Sequence, residues 1–276
     1  MPFLRSRLLA IAAALLLAGC AASPLRIDTR HQAAVQASRV QFLVLHYTVA
    51  DFDESLRLLT GTQPGVSAHY LVRDDPVRVY RLVDEGRLAR HAGESWWAGT
   101  TPLNASSVGI EIVNPGYTDT PEGRVYAPYP QEQIDTVIRL AREIVARHGI
   151  RPDHVLGHAD VAPGRKQDPG PQFPWRQLAE AGLILWPDAA QVEERLAFHQ
   201  RNPLPAIAWF QERLATVGYR VPCGGELDDA TRAALGTFQM KYRPADIAGV
   251  PDAETAALLD VVSTPGGMHS LAPPAE

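Results

Sequence analysis

The stretch Gly157-His158-Ala159-Asp160-Val161-Ala162-Pro163-Gly164-Arg165-Lys166-Gln167-Asp168-Pro169-Gly170 decides how this chain is read. Its prolines and glycines predict a loop rather than a helix. His158, Lys166 and Asp168 fall within eleven residues. In extended backbone, side chains two apart point the same way, so Asp168 and Lys166 face one site, and the loop must fold His158 in beside them. A second histidine from elsewhere would complete a His/His/Asp donor set, for which zinc is the usual ion. The competing reading is a surface loop whose charges are merely solvated.

Working outward, the 276 residues suffice for one medium domain and a small one. With 46% hydrophobic and 21% charged residues the composition is that of a globular chain. A net charge of -5 argues against a nucleic-acid partner. Residues 1–19 read as a leader: Arg5 and Arg7 precede an uncharged stretch, Leu8 to Gly19, too short to span a bilayer. Leu17-Ala18-Gly19-Cys20 resembles a bacterial lipobox. That resemblance implies cleavage before Cys20, lipidation of its sulfur and, with Ala21 following, sorting to the outer membrane. Several acyl chains anchor stably where one does not. Cleavage would take the net charge from -5 to -7. Cys223 is the other cysteine, and with Cys20 lipidated no intramolecular disulfide is expected.

Residues 20–39 are polar and aperiodic and suit a tether. Val40 to His46 reads as a buried strand with His46 at its C-terminal end, where sites in sheet proteins gather. Asp51 to Leu59 predicts a short helix, and the runs 68–73 and 77–83 around Asp74-Asp75-Pro76 predict a hairpin. His69 and His91 lie in or after this hairpin, either structural or lining a groove. Trp96-Trp97 and Asn104 follow in a loop. In Val108 to Val113, Ile110 and Ile112 share one face and Glu111 takes the other. A carboxylate there is unusual unless it faces water, a partner or a site. Residues 114–130 look too irregular for a regular element, and 131–148 is the clearest helix, stopped by Gly149. A short strand over 154–157 delivers His158. These features predict an α/β domain over 40–186 with a mixed central sheet and flanking helices. A helical linker over 187–205, a small all-α unit of three helices over 206–262 and a disordered tail over 263–276 complete the expected layout.

Residues 40–185 resemble the zinc-dependent N-acetylmuramoyl-L-alanine amidases. The matching stretches are Val44-Leu45-His46-Tyr47-Thr48, Val66-Ser67-Ala68-His69-Tyr70, Arg90-His91-Ala92-Gly93, Asn104 to Val113, and the opening segment through Phe173-Pro174-Trp175. The second unit is similar to the small peptidoglycan-binding domain through Phe210-Gln211-Glu212-Arg213-Leu214, Gly218-Tyr219, Ala230-Thr231-Arg232-Ala233-Ala234 and Phe238-Gln239.

The first resemblance implies one zinc ion on His46, His158 and Asp168, with an open position for hydrolysis. It implies a substrate amide between the lactyl group of N-acetylmuramic acid and L-alanine, with Glu111 as general base and Lys166 on the oxyanion. His69, His91, Trp96 and Asn104 are candidate substrate contacts. The chain holds 24 Arg but only Lys166 and Lys241 as lysines, so a lysine stands out where a compact ammonium is needed; Lys241 has no evident role. Some family members carry a Tyr at the position of Ala68, which shifts proton transfer here to Glu111. The implied partners are peptidoglycan, muropeptides and, through the lipid, a membrane. Two other readings stay open: a non-catalytic peptidoglycan binder, and a zinc peptidase cutting within the stem peptide.

Overall fold

The computed structural model describes residues 25–272 apart from 64 and 122. The leader and Cys20 lie outside the described residues. The chain divides into a unit over 1–37, irregular throughout 25–37, and a unit over 38–276.

The second unit is built on a five-stranded sheet of order β3-β2-β4-β1-β7. The strands are β1 (Phe42–Tyr47), β2 (Tyr70–Arg73), β3 (Arg78–Arg81), β4 (Ser107–Ile112) and β7 (Val155–Gly157). β1 pairs in parallel with β4 and β7, β2 is parallel to β4, and β3 closes the edge as the antiparallel arm of the expected hairpin. The sheet is therefore mixed, as its sequence predicts. Between the strands lie α1 (Phe52–Thr60), capped by the Asp51 carboxylate on Glu54 N–H, and α2 (Gln131–His148). Helix α2 buries Ile134, Val137, Ala141 and Ile144, the stripe expected of an amphipathic helix. Its C-terminus passes into Gly149 at φ 66, a conformation that favours glycine.

Strand alternation assigns the two sheet faces. Leu43, Leu45, Ile110 and Ile112 pack with α2 in one core. Phe42 and Val44 point the other way and pack with Phe210, Leu214, Leu235 and Phe238 of the C-terminal helices. Those helices are α5 (Ala189–Arg201), α6 (Ile207–Val217), α7 (Asp229–Tyr242) and α8 (Ala253–Val262). Asp188, Asp228 and Asp252 cap α5, α7 and α8 through their carboxylates.

Two expectations are refined here and two are corrected. The expected helical unit over 206–262 shares a core with the sheet, because a sheet apolar on both faces needs a second covering layer, and the helical unit provides it. The expected helical linker is α5, which packs on α8 with His199 buried against Asp260 at 2.7 Å, and the three helices expected over 206–262 are α6, α7 and α8. Residues 114–130 hold a hairpin, β5 (Tyr117–Thr120) and β6 (Gly123–Tyr126), whose mixed exposed side chains hide its period. The expected tail carries structure: β9 (Met268–His269) pairs with β8 (Trp186–Pro187). The turn into it needs Gly267, where a Cβ would stand 2.0 Å from Val261 O.

Candidate active site

The site forms where β1, β4 and β7 end. Parallel pairing makes His46 and Glu111 direct neighbours, on the sheet face that the helical unit also covers. His158 opens α3 (His158–Val161), a single helical turn where the sequence predicts none. One turn depends little on propensity, and here the Asp160 carboxylate accepts the Gly157 N–H at 2.9 Å and closes it. Gly157 lets the chain pass close to itself, since a Cβ there would meet Pro169 Cδ at 2.7 Å. The Ala159 N–H then donates to Asp168 O at 2.8 Å and ties the two halves of the loop together. In α4 (Trp175–Glu180), Trp175 backs this crossing.

These constraints bring three donor atoms together. His46 Nδ1 lies 2.9 Å from His158 Nδ1, and each lies 3.0 Å from Asp168 Oδ2. All three side chains are buried. The protonation of this triangle follows from its surroundings. Ser107 O–H donates to Leu103 O at 2.7 Å, so Ser107 Oγ must accept from His91 Nε2–H, at 3.1 Å. His91 Nδ1 is then an acceptor, filled by His46 Nε2–H at 3.0 Å. His158 Nε2–H donates to Ala92 O at 3.1 Å. Both Nδ1 atoms therefore present lone pairs. Burial, and then the neighbouring His158, push the His46 ring down to about 4, so it stays neutral. Burial alone would raise the Asp168 carboxyl, but the His158 and His46 rings outweigh it and hold it below the usual carboxylate range. Two lone pairs and a carboxylate oxygen face one another with no proton between them, an arrangement that fits a cation at their centre. Triangle edges of 2.9 and 3.0 Å are a few tenths of an ångström shorter than the roughly 3.3–3.6 Å between tetrahedral ligands at zinc bonds of about 2.0–2.2 Å, a gap that small side-chain rotations close. The bonds made by the outer ring nitrogens are those that orient metal-ligating histidines.

A cavity of about 210 Å³ opens over this triangle, lined by Tyr47, Glu111, His158, Lys166 and Asp168, with Val49 and Val66 at its lip. Glu111 Oε2 is buried there without a hydrogen-bond partner. Burial first, and then the Asp168 charge, push its carboxyl well above the ordinary range, with Lys166 opposing. Lys166 has no ion-pair partner among the described residues. Its neighbour Arg165 spends its guanidinium on Ala92 O and Glu94 O, at 2.7 and 2.5 Å. Val49 is 58% exposed at φ 57, a backbone conformation strained for a β-branched residue.

The structure thus brings His46, His158, Asp168, Glu111 and Lys166 into one cavity. It does not bring all the expected substrate contacts there. His69 is buried, with Nε2–H donating to Arg87 O and Nδ1 accepting from Gly109 N–H, so both its nitrogens serve the fold. Asn104 Oδ1 accepts from the N–H groups of His91 and Ala92, which fixes the His91 segment. His91 lines the cavity, but its nitrogens are committed to His46 and Ser107, and Gly109 makes room for its ring. Trp96 lies under the Arg220 guanidinium, against the helical unit. Ala68 is buried with Leu59, Leu71 and Val113, in a small core of its own. Tyr47 is the cavity residue that sequence reasoning passed over; its ring packs against Gly116 and Gly170.

Two histidines, an aspartate, a buried carboxylate and an ammonium with no ion-pair partner among the described residues, gathered at one cavity, suit hydrolysis assisted by a bound cation. Comparison with known proteins narrows this. Residues 36–171 match the family model of N-acetylmuramoyl-L-alanine amidase, and residues 204–259 that of a peptidoglycan binding domain. The N-acetylmuramoyl-L-alanine amidase AmiD of Escherichia coli K12 is 43% identical over 265 residues, covering 91% of this chain and 95% of AmiD. The chain belongs to the N-acetylmuramoyl-L-alanine amidase family. Among solved structures, AmiD in complex with anhydro-N-acetylmuramic acid-L-Ala-D-gamma-Glu-L-Lys superposes with a TM-score of 0.78 at 42% identity, over 88% of this chain and 96% of that one. AmpDh3 of Pseudomonas aeruginosa, in complex with anhydromuramic pentapeptide, gives 0.77 at 39% identity, over 86% and 96%.

Proposed function

We propose that this chain hydrolyses the amide bond between the lactyl group of N-acetylmuramic acid and L-alanine in peptidoglycan or its fragments. His46, His158 and Asp168 would hold one zinc ion. The observation that carries the reading is the convergence of three unprotonated donor atoms on a cavity that also holds an unpartnered Glu111 oxygen and a free Lys166. When bound, zinc supplies positive charge beside the scissile carbonyl and lowers the pKa of a water to about 7.

The remaining work falls to the chain. Glu111 takes a proton from the attacking water as the water oxygen bonds to the lactyl carbonyl carbon. It passes that proton to the L-alanine nitrogen as the C–N bond breaks. A carboxyl shifted upward by burial suits both the taking and the giving. Lys166 meets the oxyanion that forms in between; removing one such donor in comparable sites costs about 10²–10³ in kcat. The apolar lip of Val49 and Val66 suits the methyl groups that flank the bond. Lys166 also lines a cleft of about 1070 Å³ bounded by Arg124 and Gln167 on one side and by Thr237 and Met240 of α7 on the other. This cleft has room for the rest of a muropeptide.

The test is digestion of purified muropeptides followed by mass spectrometry. Stem peptide beginning at L-alanine, together with the peptide-free sugar, is expected. Shorter peptides would make the protein a peptidase, and undigested but retained muropeptide would make it a binder.

The leader, with Cys20, supports anchoring at the periplasmic face of the outer membrane. Cells fed labelled palmitate are expected to yield labelled protein in the outer-membrane fraction, and none when Cys20→Ala is expressed. Soluble, unlabelled wild-type protein would contradict anchoring.

A further inference from the structure

Asp160 is 2% exposed, lies two residues beyond a donor histidine, and takes no direct part in the chemistry above. Its carboxylate is fully engaged. Oδ2 accepts the Gly157 N–H and the Lys241 ammonium, both at 2.9 Å, and Oδ1 accepts the Tyr219 hydroxyl at 2.8 Å. Gly157 belongs to the strand and turn that deliver His158. Tyr219 and Lys241 belong to the helical unit, 59 and 81 residues further along the chain. The Lys241 ammonium also stands 4.2 Å over the Trp175 ring, which itself packs on Gly157. Close by, the Ala98 N–H donates to Gly218 O at 2.9 Å, and Trp97 meets the Tyr219 ring edge-on.

We propose that Lys241 and Tyr219 act through Asp160 as positioning residues for the metal centre, so that the helical unit, beyond holding polymer, sets where His158 stands. This rests on the metal site proposed above. The physical reason is that a buried carboxylate demands compensation. Take away the Lys241 charge and Asp160 must find water or another donor, which it can reach only by loosening its hold on Gly157. His158 then loses its fixed place relative to His46 and Asp168. Groups that hydrogen-bond a metal ligand directly are worth about 10- to 100-fold in metal affinity or activity. Lys241 and Tyr219 act one step further out, through Asp160 and Gly157, so the lower end of that range applies.

The test is zinc competition against a chromophoric chelator in the full-length protein, alongside kcat and KM on muropeptide. In Lys241→Met the zinc affinity is expected to fall about 10-fold, with kcat falling and KM nearly unchanged. Lys241→Arg, which keeps the charge, restores most of the affinity. In a double-mutant cycle, Lys241→Met added to Asp160→Asn costs little further, because both act on one element. Should Lys241→Met fail to fold, Tyr219→Phe carries the test with a smaller loss in the same direction. A lowered melting temperature with unchanged zinc affinity and kcat in either variant would overturn the proposal, as would additive losses in the cycle. Wild-type protein that binds no zinc would sink the metal reading and this inference together. Zinc binding without amidase products would leave the inference standing and remove the substrate assignment.

Discussion

Glu111→Gln is expected to lower kcat/KM by about 10²–10⁴, the range over which a positioned general base contributes, or about 3–5 kcal/mol of transition-state stabilisation. The amide keeps the shape of the Glu111 side chain and its place in β4 beside His46, but can neither accept the water proton nor deliver it to the leaving amine. The same substitution should make the metal-free protein more stable at neutral pH, and the sign follows from linkage. Burial raises the folded-state carboxyl well above its ordinary value of 4.5. Below that value both folded and unfolded chains are protonated. Above it the unfolded chain releases its proton first, so stability falls as pH rises toward the folded-state pKa. The amide side chain of the variant does not titrate and has no such loss. Urea unfolding of the two metal-free proteins should therefore show a gap favouring the variant that widens as pH rises above the ordinary carboxyl value of 4.5. A gap that does not change with pH, or wild-type kcat/KM in the variant, would show that Glu111 is an ordinary solvated carboxylate.

Asp168→Ala is the second large effect. The carboxylate is the charged member of the donor triangle, and its removal leaves two neutral Nδ1 atoms 2.9 Å apart. Zinc affinity should drop by more than the roughly 100-fold that an outer-shell partner can cost, and hydrolysis should disappear with it. Competition titration gives the affinity, and elemental analysis of the purified variant gives the metal content. Stoichiometric, tightly held zinc in Asp168→Ala would mean that the ion sits elsewhere.

Much of this architecture is legible in the residues. His46 stands at the end of an apolar run, and Glu111 puts a carboxylate on the second face of an otherwise apolar strand, so each announces itself locally. Their adjacency does not, because it depends on the parallel register of β1 and β4, which no single segment encodes. His69 and Asn104 show the opposite failure. A sequence displays donors and acceptors but not their partners, and both residues are consumed by backbone groups of the loops they fix. The continuous apolar character of β1 signals burial on both faces. What covers the second face only the fold reveals, so the helical unit read as a separate module. Lys241 stood out by rarity alone, since its partner Asp160 lies far away in the chain.

The most direct test of the central claim is digestion of purified muropeptides in water enriched in oxygen-18, with the products weighed. If the cavity activates water against the lactyl carbonyl, the heavy oxygen appears in the lactyl carboxylate of the sugar, and the released peptide begins with an unlabelled L-alanine amine. The signal vanishes with chelator and returns with zinc. Heavy oxygen in a carboxylate of the peptide, or cleavage that persists without metal, would contradict the account.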